Sequence, residues 1–296
     1  MTTGRDYAEE NLGNIVSLEH VNVTIPNQAT ATLFYVLGLG LTRDPYMWVG
    51  LDNMWMNVGE QQFHLPTRPA GQVIPGEIGL VVPDLGELQA RLKAVQDQLA
   101  GTRFDWSVEG DDQVVVTCPW GNRLRCHAPA PRFGTEILGI PYVEFWVRPG
   151  AADPIARFYR EALGAPGVVS AAGRHQVARV AVGRAQWLDF RETDGEIRPY
   201  DGHHIQVYVA NFSGPYGWLR SHSLIMEDVD VVAHQFRFKT LVDPENNGEG
   251  VFTLEHEVRS LRHPLFARSL VNRNPGQTQA TYRRGQDALN PSAPTR

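Results

Sequence analysis

The stretch with the most chemical promise is His20-Val21-Asn22-Val23-Thr24-Ile25-Pro26. It alternates strictly, the period of a strand buried on one face. His20, Asn22 and Thr24 therefore share one side, and Val21, Val23 and Ile25 the other. An imidazole, an amide and a hydroxyl in a row on so apolar a strand point to a face that lines a cavity. Imidazole ligates first-row metals and titrates near neutral pH. A lone strand histidine is more often a hydrogen-bonded, half-buried residue than a ligand, so His20 gains meaning only from its surroundings. A second stretch, Leu254-Glu255-His256-Glu257-Val258-Arg259, puts Glu255, Glu257 and Arg259 on one strand face, either a cleft lining or a solvated edge.

The elements that would position these residues recur. Strands like the first are expected over 77–83, 142–147 and 204–209. Their first positions, His20, Glu77, Tyr142 and His204, are 57, 65 and 62 residues apart. A period of this kind outweighs any single motif in deciding the fold. In the first unit a helix through Leu33, Phe34, Tyr35 and Leu37 stops at Gly38 or Gly40, and short strands follow over 41–43, 54–58 and 61–65. In the second, Asp84 with Glu87 forms a capping-box pattern before Leu85, Leu88, Leu92, Val95 and Leu99 at helical spacing. Strands follow over 104–108, 113–118 and 123–127, the last after a Gly121-Asn122 turn. In the third, Asp153 is expected to cap a helix with Pro154 at its first position. That helix carries Phe158-Tyr159 and then Leu163-Gly164, the spacing of Phe34-Tyr35 and Leu39-Gly40. Strands are expected near 177–182 and 186–191. The fourth unit has a short helix from Ser213-Gly214-Pro215 to about His222, and strands over 235–242 and 251–260 around Asn246-Asn247-Gly248.

Ala128-Pro129-Ala130-Pro131-Arg132 reads as the joint between two domains. The expected division is a lead-in over 1–15, an N-terminal domain over 16–130, a C-terminal domain over 138–275 and a polar tail over 276–296, disordered at its end. The stretch 262–274 is too polar for a core and is expected to wrap a cleft or mediate self-association, which leaves a homodimer open. Hydrophobic residues make up 42% of the chain and charged residues 20%, as in a soluble globular protein. A net charge of −6 gives no footprint for nucleic acid or an anionic membrane. No apolar run approaches the roughly 18 residues of a membrane span. The first residues lack the apolar core of a signal peptide, so a cytoplasmic location is expected. Two cysteines, Cys118 and Cys126, argue against a disulfide framework and read as buried free thiols.

Four strand-helix-strand units, paired two by two, resemble the vicinal oxygen chelate superfamily, which includes glyoxalase I, the extradiol dioxygenases and the bleomycin-resistance proteins. The resemblance spans about residues 16–260. It is carried by the repeat, the His20 strand, the two Phe-Tyr-x-x-x-Leu-Gly helix ends, the Gly121-Asn122 turn and Gly202-His203-His204. It implies an α+β fold of four βαβββ modules in two similar domains, each a curved mixed sheet around a cleft. Metal ligands in that superfamily lie on the first and last strands of each module. Carried over, the N-terminal cleft would present His20, His64, Glu77 and Arg125, and the C-terminal cleft Tyr142, Asp189, His204 and Glu257. His20, His64 and Glu77 would then hold a divalent metal, Fe(II) first, with Mn, Ni, Zn and Co open. The plainer readings are a surface histidine beside Pro66 for His64 and an exposed strand start for Glu77. Arg125 has no lone pair to offer a metal and would face an anionic substrate group. Asn22, Tyr142, Glu144, Gln206 and Tyr208 would line the substrate sites.

Tyr142 is a poor ligand at neutral pH, with an ordinary pKa of about 10. The second cleft is therefore expected to be metal-free, with His204, Glu257, Asp189 and Arg191 as its polar candidates. His20→Ala is expected to lose the metal and His204→Ala to keep it. The implied partner is a small molecule with adjacent oxygens, and the implied activity a dioxygenase. The alternatives are a glyoxalase-like isomerase or lyase and a metal-free binding protein of the resistance type.

Overall fold

Alternating sequence becomes strand wherever one side can be buried. The computed structural model describes residues 11–45, 47, 50–110, 112–226, 234–246 and 248–270, so the first part of the lead-in and the polar tail lie outside the described residues. The first module is β1 (Ile15–Asn22), α1 (Gln28–Ala31), π-helical turns over Thr32–Gly38, then β2 (Thr42–Arg43), β3 (Asn53–Val58) and β4 (Gln61–Pro66). The second is β5 (Gly76–Val81), α2 (Leu85–Val95), β6 (Asp105–Glu109), β7 (Gln113–Thr117) and β8 (Arg123–His127). The third is β9 (Gly139–Val147), α3 (Ala152–Leu163), β10 (Gly167–Ala172), β11 (His175–Gly183) and β12 (Gln186–Glu192). The fourth is β13 (His204–Val209), α4 (Ser213–Ser221), β14 (Gln235–Val242) and β15 (Gly250–Ser260).

Most strands expected from alternation hold to within a few residues, but the first is displaced: β1 runs over Ile15–Asn22 rather than 20–26, and beyond it Ile25 makes only an isolated bridge to Thr67. β10 has no such signal, because it is an edge strand with its side chains mostly in solvent, Val168 among them. Asp84 caps α2 by accepting a hydrogen bond from the Glu87 amide at 2.9 Å. Gly164 ends α3 in the left-handed conformation, φ 63°. Asp153, however, lies inside the first turn of α3 rather than at its cap. It pairs with Arg157, and the helix start is served instead by Glu192, whose Oε1 accepts from the Gly150 and Ala152 amides at 2.8 and 3.2 Å. Both aromatic pairs of the repeat, Phe34-Tyr35 and Phe158-Tyr159, are buried. A buried aromatic contributes about 1.5–3 kcal/mol. Both cysteines are free and buried.

Two mixed sheets result. One has the order β14-β15-β13-β1-β4-β3-β2, the other β10-β11-β12-β9-β5-β8-β7-β6. Their apolar faces share a core with α3, which packs on β10, β11 and β12 of one sheet and β14 and β15 of the other. Gln186 ties the sheets together: its amide bonds both backbone groups of Leu18 and the carbonyl of Ile140.

The expected partnering of modules is corrected by this order. The first module shares its sheet with the fourth, and the second with the third. At the centre of each sheet two strands run antiparallel, β1 with β13 and β5 with β9. The proline-rich joint leads from β8 through a 3-10 turn at Pro131–Phe133 into β9, within one sheet. The cleft compositions change with it. His20 and His64 face His204 and Glu257, whereas Glu77 and Arg125 face Tyr142 and Asp189.

Candidate metal centre

Register alone brings three histidines together. Asn22 of β1 is level with His204 of β13 on one side and His64 of β4 on the other. His20 stands two residues earlier on the same strand face. One nitrogen of each ring lies within 4.8 Å of the others. His20 and His204 are buried, His64 nearly so. The Nε2 atoms of all three have no hydrogen-bond partner among the described residues. Buried polar atoms are rarely left so, and three imidazoles this close together offer one cation a nitrogen each.

The supports of these rings are specific. A bulge between Leu18 and His20 gives β1 one extra residue, Glu19. Its Oε2 accepts from His20 Nδ1 at 2.8 Å, which turns Nε2 toward the other rings. Trp55, opposite His64 on β3, stacks on that imidazole with centroids 3.8 Å apart and planes 11° from parallel. Such a stack is worth about 0.5–1.5 kcal/mol beyond burial. Burial pushes the pKa of both His64 and His204 well below the usual value, with Glu257 opposing the shift at His204. The two imidazoles are thereby kept neutral, the form that ligates.

Glu257 on β15 places Oε2 3.9 Å from His204 Nε2. Burial alone would raise its carboxyl, but Arg259 and Arg237 outweigh burial and hold it well below the usual range. Arg259 lies 2.5 Å from its Oε1, and Arg237 bonds Oε2. Glu257 is a fourth candidate donor beside the three imidazoles. Imidazole with at most one carboxylate suits a divalent first-row cation, so the donor set fits the metal that the fold implies.

Around the cluster lie other orphans: Asn22 Oδ1 and both amide atoms of Gln206, buried and without a hydrogen-bond partner among the described residues. Tyr208 is buried on the same strand face as Gln206 and meets Phe266 edge-on, centroids 4.9 Å apart. Residues 261–270 cross this side of the sheet. Leu265 packs with Met47 and Trp55, and Arg268 reaches Asp44 at 2.6 Å with both side chains buried. The described part of the polar stretch thus wraps a cleft, one of the two roles expected of it.

Of the sequence candidates, His20, His64, Asn22, Gln206, Tyr208, His204 and Glu257 come together here. Glu77, Arg125, Tyr142, Glu144, Asp189 and Arg191 line the other sheet's cleft. Glu77 is engaged there by Arg125 at 2.7 Å and Arg123 at 3.2 Å, so it is no partner of His20. Glu19, Trp55 and Arg237 went unread. A bulge residue breaks the alternation, and the other two sit on strands whose neighbours are decided only in three dimensions.

The chain superposes on known structures across nearly its whole length. A Bacillus subtilis protein provisionally named a dioxygenase matches with a TM-score of 0.58 at 14% identity, over 93% of this chain and 92% of that one. The chain has the two-domain vicinal oxygen chelate fold. Glyoxalase I from Zea mays has the same vicinal oxygen chelate architecture and matches with a TM-score of 0.58 at 13% identity, over 86% of this chain and 95% of that one. No family model and no curated protein matches the chain. At these identities the likeness is one of vicinal oxygen chelate fold, and the site must speak for the chemistry. Among the described residues no helix is long and apolar enough to cross a membrane.

Proposed function

We propose that this protein is a metal-dependent enzyme of the vicinal oxygen chelate type, acting as a dioxygenase on a small substrate with adjacent oxygens. The observation that carries the reading is that His20, His64 and His204 bring one ring nitrogen each within 4.8 Å of the others. A divalent metal, Fe(II) first, would chelate the substrate's oxygens there as a Lewis acid and supply the site of O₂ chemistry. Asn22 and Gln206 offer free amide atoms to the substrate's polar edge. Arg259, buried on the same face, is paired with Glu257 and Glu19, so its charge is balanced within the cleft. Trp55, Leu265 and the wrapping segment exclude water from the far side.

A glyoxalase-like isomerisation asks for a carboxylate free to take a proton. Glu257 is a poor one, because the guanidiniums of Arg259 and Arg237 beside it hold its carboxyl well below the usual range. That favours the dioxygenase over the isomerase. The test is metal content of protein purified without a histidine tag, followed by O₂ uptake with catechols and 2-hydroxy acids and by turnover of a hemithioacetal. Bound iron and substrate-dependent O₂ uptake are expected. Hemithioacetal turnover without O₂ uptake would move the assignment to the isomerase. Protein that takes up no divalent metal would leave the metal-free binding reading.

A further inference from the structure

The cleft of the other sheet is the mirror of the first in register and its opposite in chemistry. Gly79 of β5 is level with Tyr142 and Arg125, as Asn22 is with His204 and His64. Glu144 is level with Glu77 and Asp189, as Gln206 is with His20 and Glu257. The position of each candidate metal donor is thus taken by Glu77, Arg125, Tyr142 and Asp189. A guanidinium cannot ligate. Both carboxylates are closed by forked ion pairs, Glu77 with Arg125 and Asp189 with Arg179, the latter at 2.8 and 2.7 Å.

What remains is a cavity of about 760 Å³, lined by five arginines against three carboxylates. Glu109 and Asp112 take nitrogens of Arg125 and Arg132 from outside the cavity. Arg191 is bound differently. It hydrogen-bonds Glu144 through Nε alone, at 2.8 Å, and its side chain is 44% exposed. It is level with Trp146 on β9, which also lines the cavity. At the other end Tyr142, Trp187 and Phe133 form a near-parallel stack, centroids 5.9 and 6.2 Å apart. Tyr142 lies across the floor because residue 79 is glycine: a Cβ there would come 2.3 Å from its ring. Trp187 Nε1 is buried without a hydrogen-bond partner among the described residues. A volume of this size, with aromatic rings set among a mostly charged lining, can take a small molecule that is both flat and ionic.

We propose that this second cleft is a metal-independent binding site for a planar aromatic carboxylate. The carboxylate lies on the terminal nitrogens of Arg191, and the ring lies against the indole of Trp146 beside it. Arginine pairs with a carboxylate through two parallel bonds, which gives the site its preference for acid over amide.

The probe is 2-naphthoate, titrated calorimetrically into the full chain after chelator treatment, with 2-naphthamide as the neutral control. Naphthoate is expected to bind with a Kd below about 1 mM, and naphthamide roughly tenfold more weakly or not at all. Arg191→Gln should weaken naphthoate roughly tenfold, with Arg191→Lys recovering part of it, and His204→Ala should leave it unchanged. Equal binding of acid and amide, binding that Arg191→Gln leaves intact, or binding lost in His204→Ala would overturn the proposal. So would the absence of naphthoate binding by wild-type protein whose unfolding transition is intact. The readout needs neither metal nor turnover, so it stands or falls apart from the activity proposed for the histidine cleft.

Discussion

Residue by residue, the candidate centre depends on which nitrogen each imidazole keeps free. Glu19 fixes that for His20 by accepting its Nδ1 proton. Carboxylate partners of this kind typically tune metal affinity by about 10- to 100-fold. Glu19→Gln should therefore weaken metal binding by roughly tenfold without removing it, as read by competition with a chelator. His204→Ala should strip the metal as fully as His20→Ala or His64→Ala, whereas Glu77→Gln should retain it, measured as metal per chain. This reverses the expectation drawn from sequence for His204, because His204 and not Glu77 shares a sheet with His20. Metal retained in His204→Ala and lost in Glu77→Gln would return the site to the original assignment.

Among the elements, the cap of α2 and the strand β1 make different demands. Asp84 satisfies one orphan amide at the helix start. Asp84→Ala should cost about 1 kcal/mol in urea unfolding and leave metal binding alone. β1 is the hinge of the site, since it is paired on both sides and carries His20, Asn22 and the bulge. Trp55 on β3 reaches the centre only by stacking on His64. Trp55→Phe keeps a ring but shortens the stack, and should weaken metal binding more than it lowers the unfolding midpoint.

For the molecule as a whole, the wrapping segment and the buried histidines set the working range. Arg268 and Asp44 form a pair with side chains 1% and 0% exposed. Removing one partner of such a pair costs about 3–5 kcal/mol, so Arg268→Met should unfold at markedly lower denaturant and open the histidine cleft to solvent. His127, His256 and His263 are each pushed down to about 4, first of all by burial. The unfolded chain holds protons on these rings up to a pKa of about 6.5, which the folded chain does not. Between about pH 6.5 and 4 the unfolded state therefore binds more protons, and stability falls as the pH falls. The urea midpoint should be lower at about pH 5 than at about pH 7.5, and a flat profile would contradict the neutral state of these rings.

The sequence by itself determined the modules. A period of two in 204–209, a capping box at Asp84 and the repeated Phe-Tyr-x-x-x-Leu-Gly are written in a few neighbouring residues each, because local backbone geometry decides them. It also named every histidine of the candidate centre and the glutamate beside it. Which modules sit together was decided only by the tertiary structure. All four present equivalent central strands with one apolar face, so local pattern does not distinguish a first module that pairs with the second from one that pairs with the fourth. The chain settles it by turning β9 back against β5 after a short joint, which leaves β1 to meet β13. That single choice moves His204 and Glu257 to the side of His20, sends Glu77 to its arginines, and makes one cleft a candidate metal centre and the other a candidate anion site.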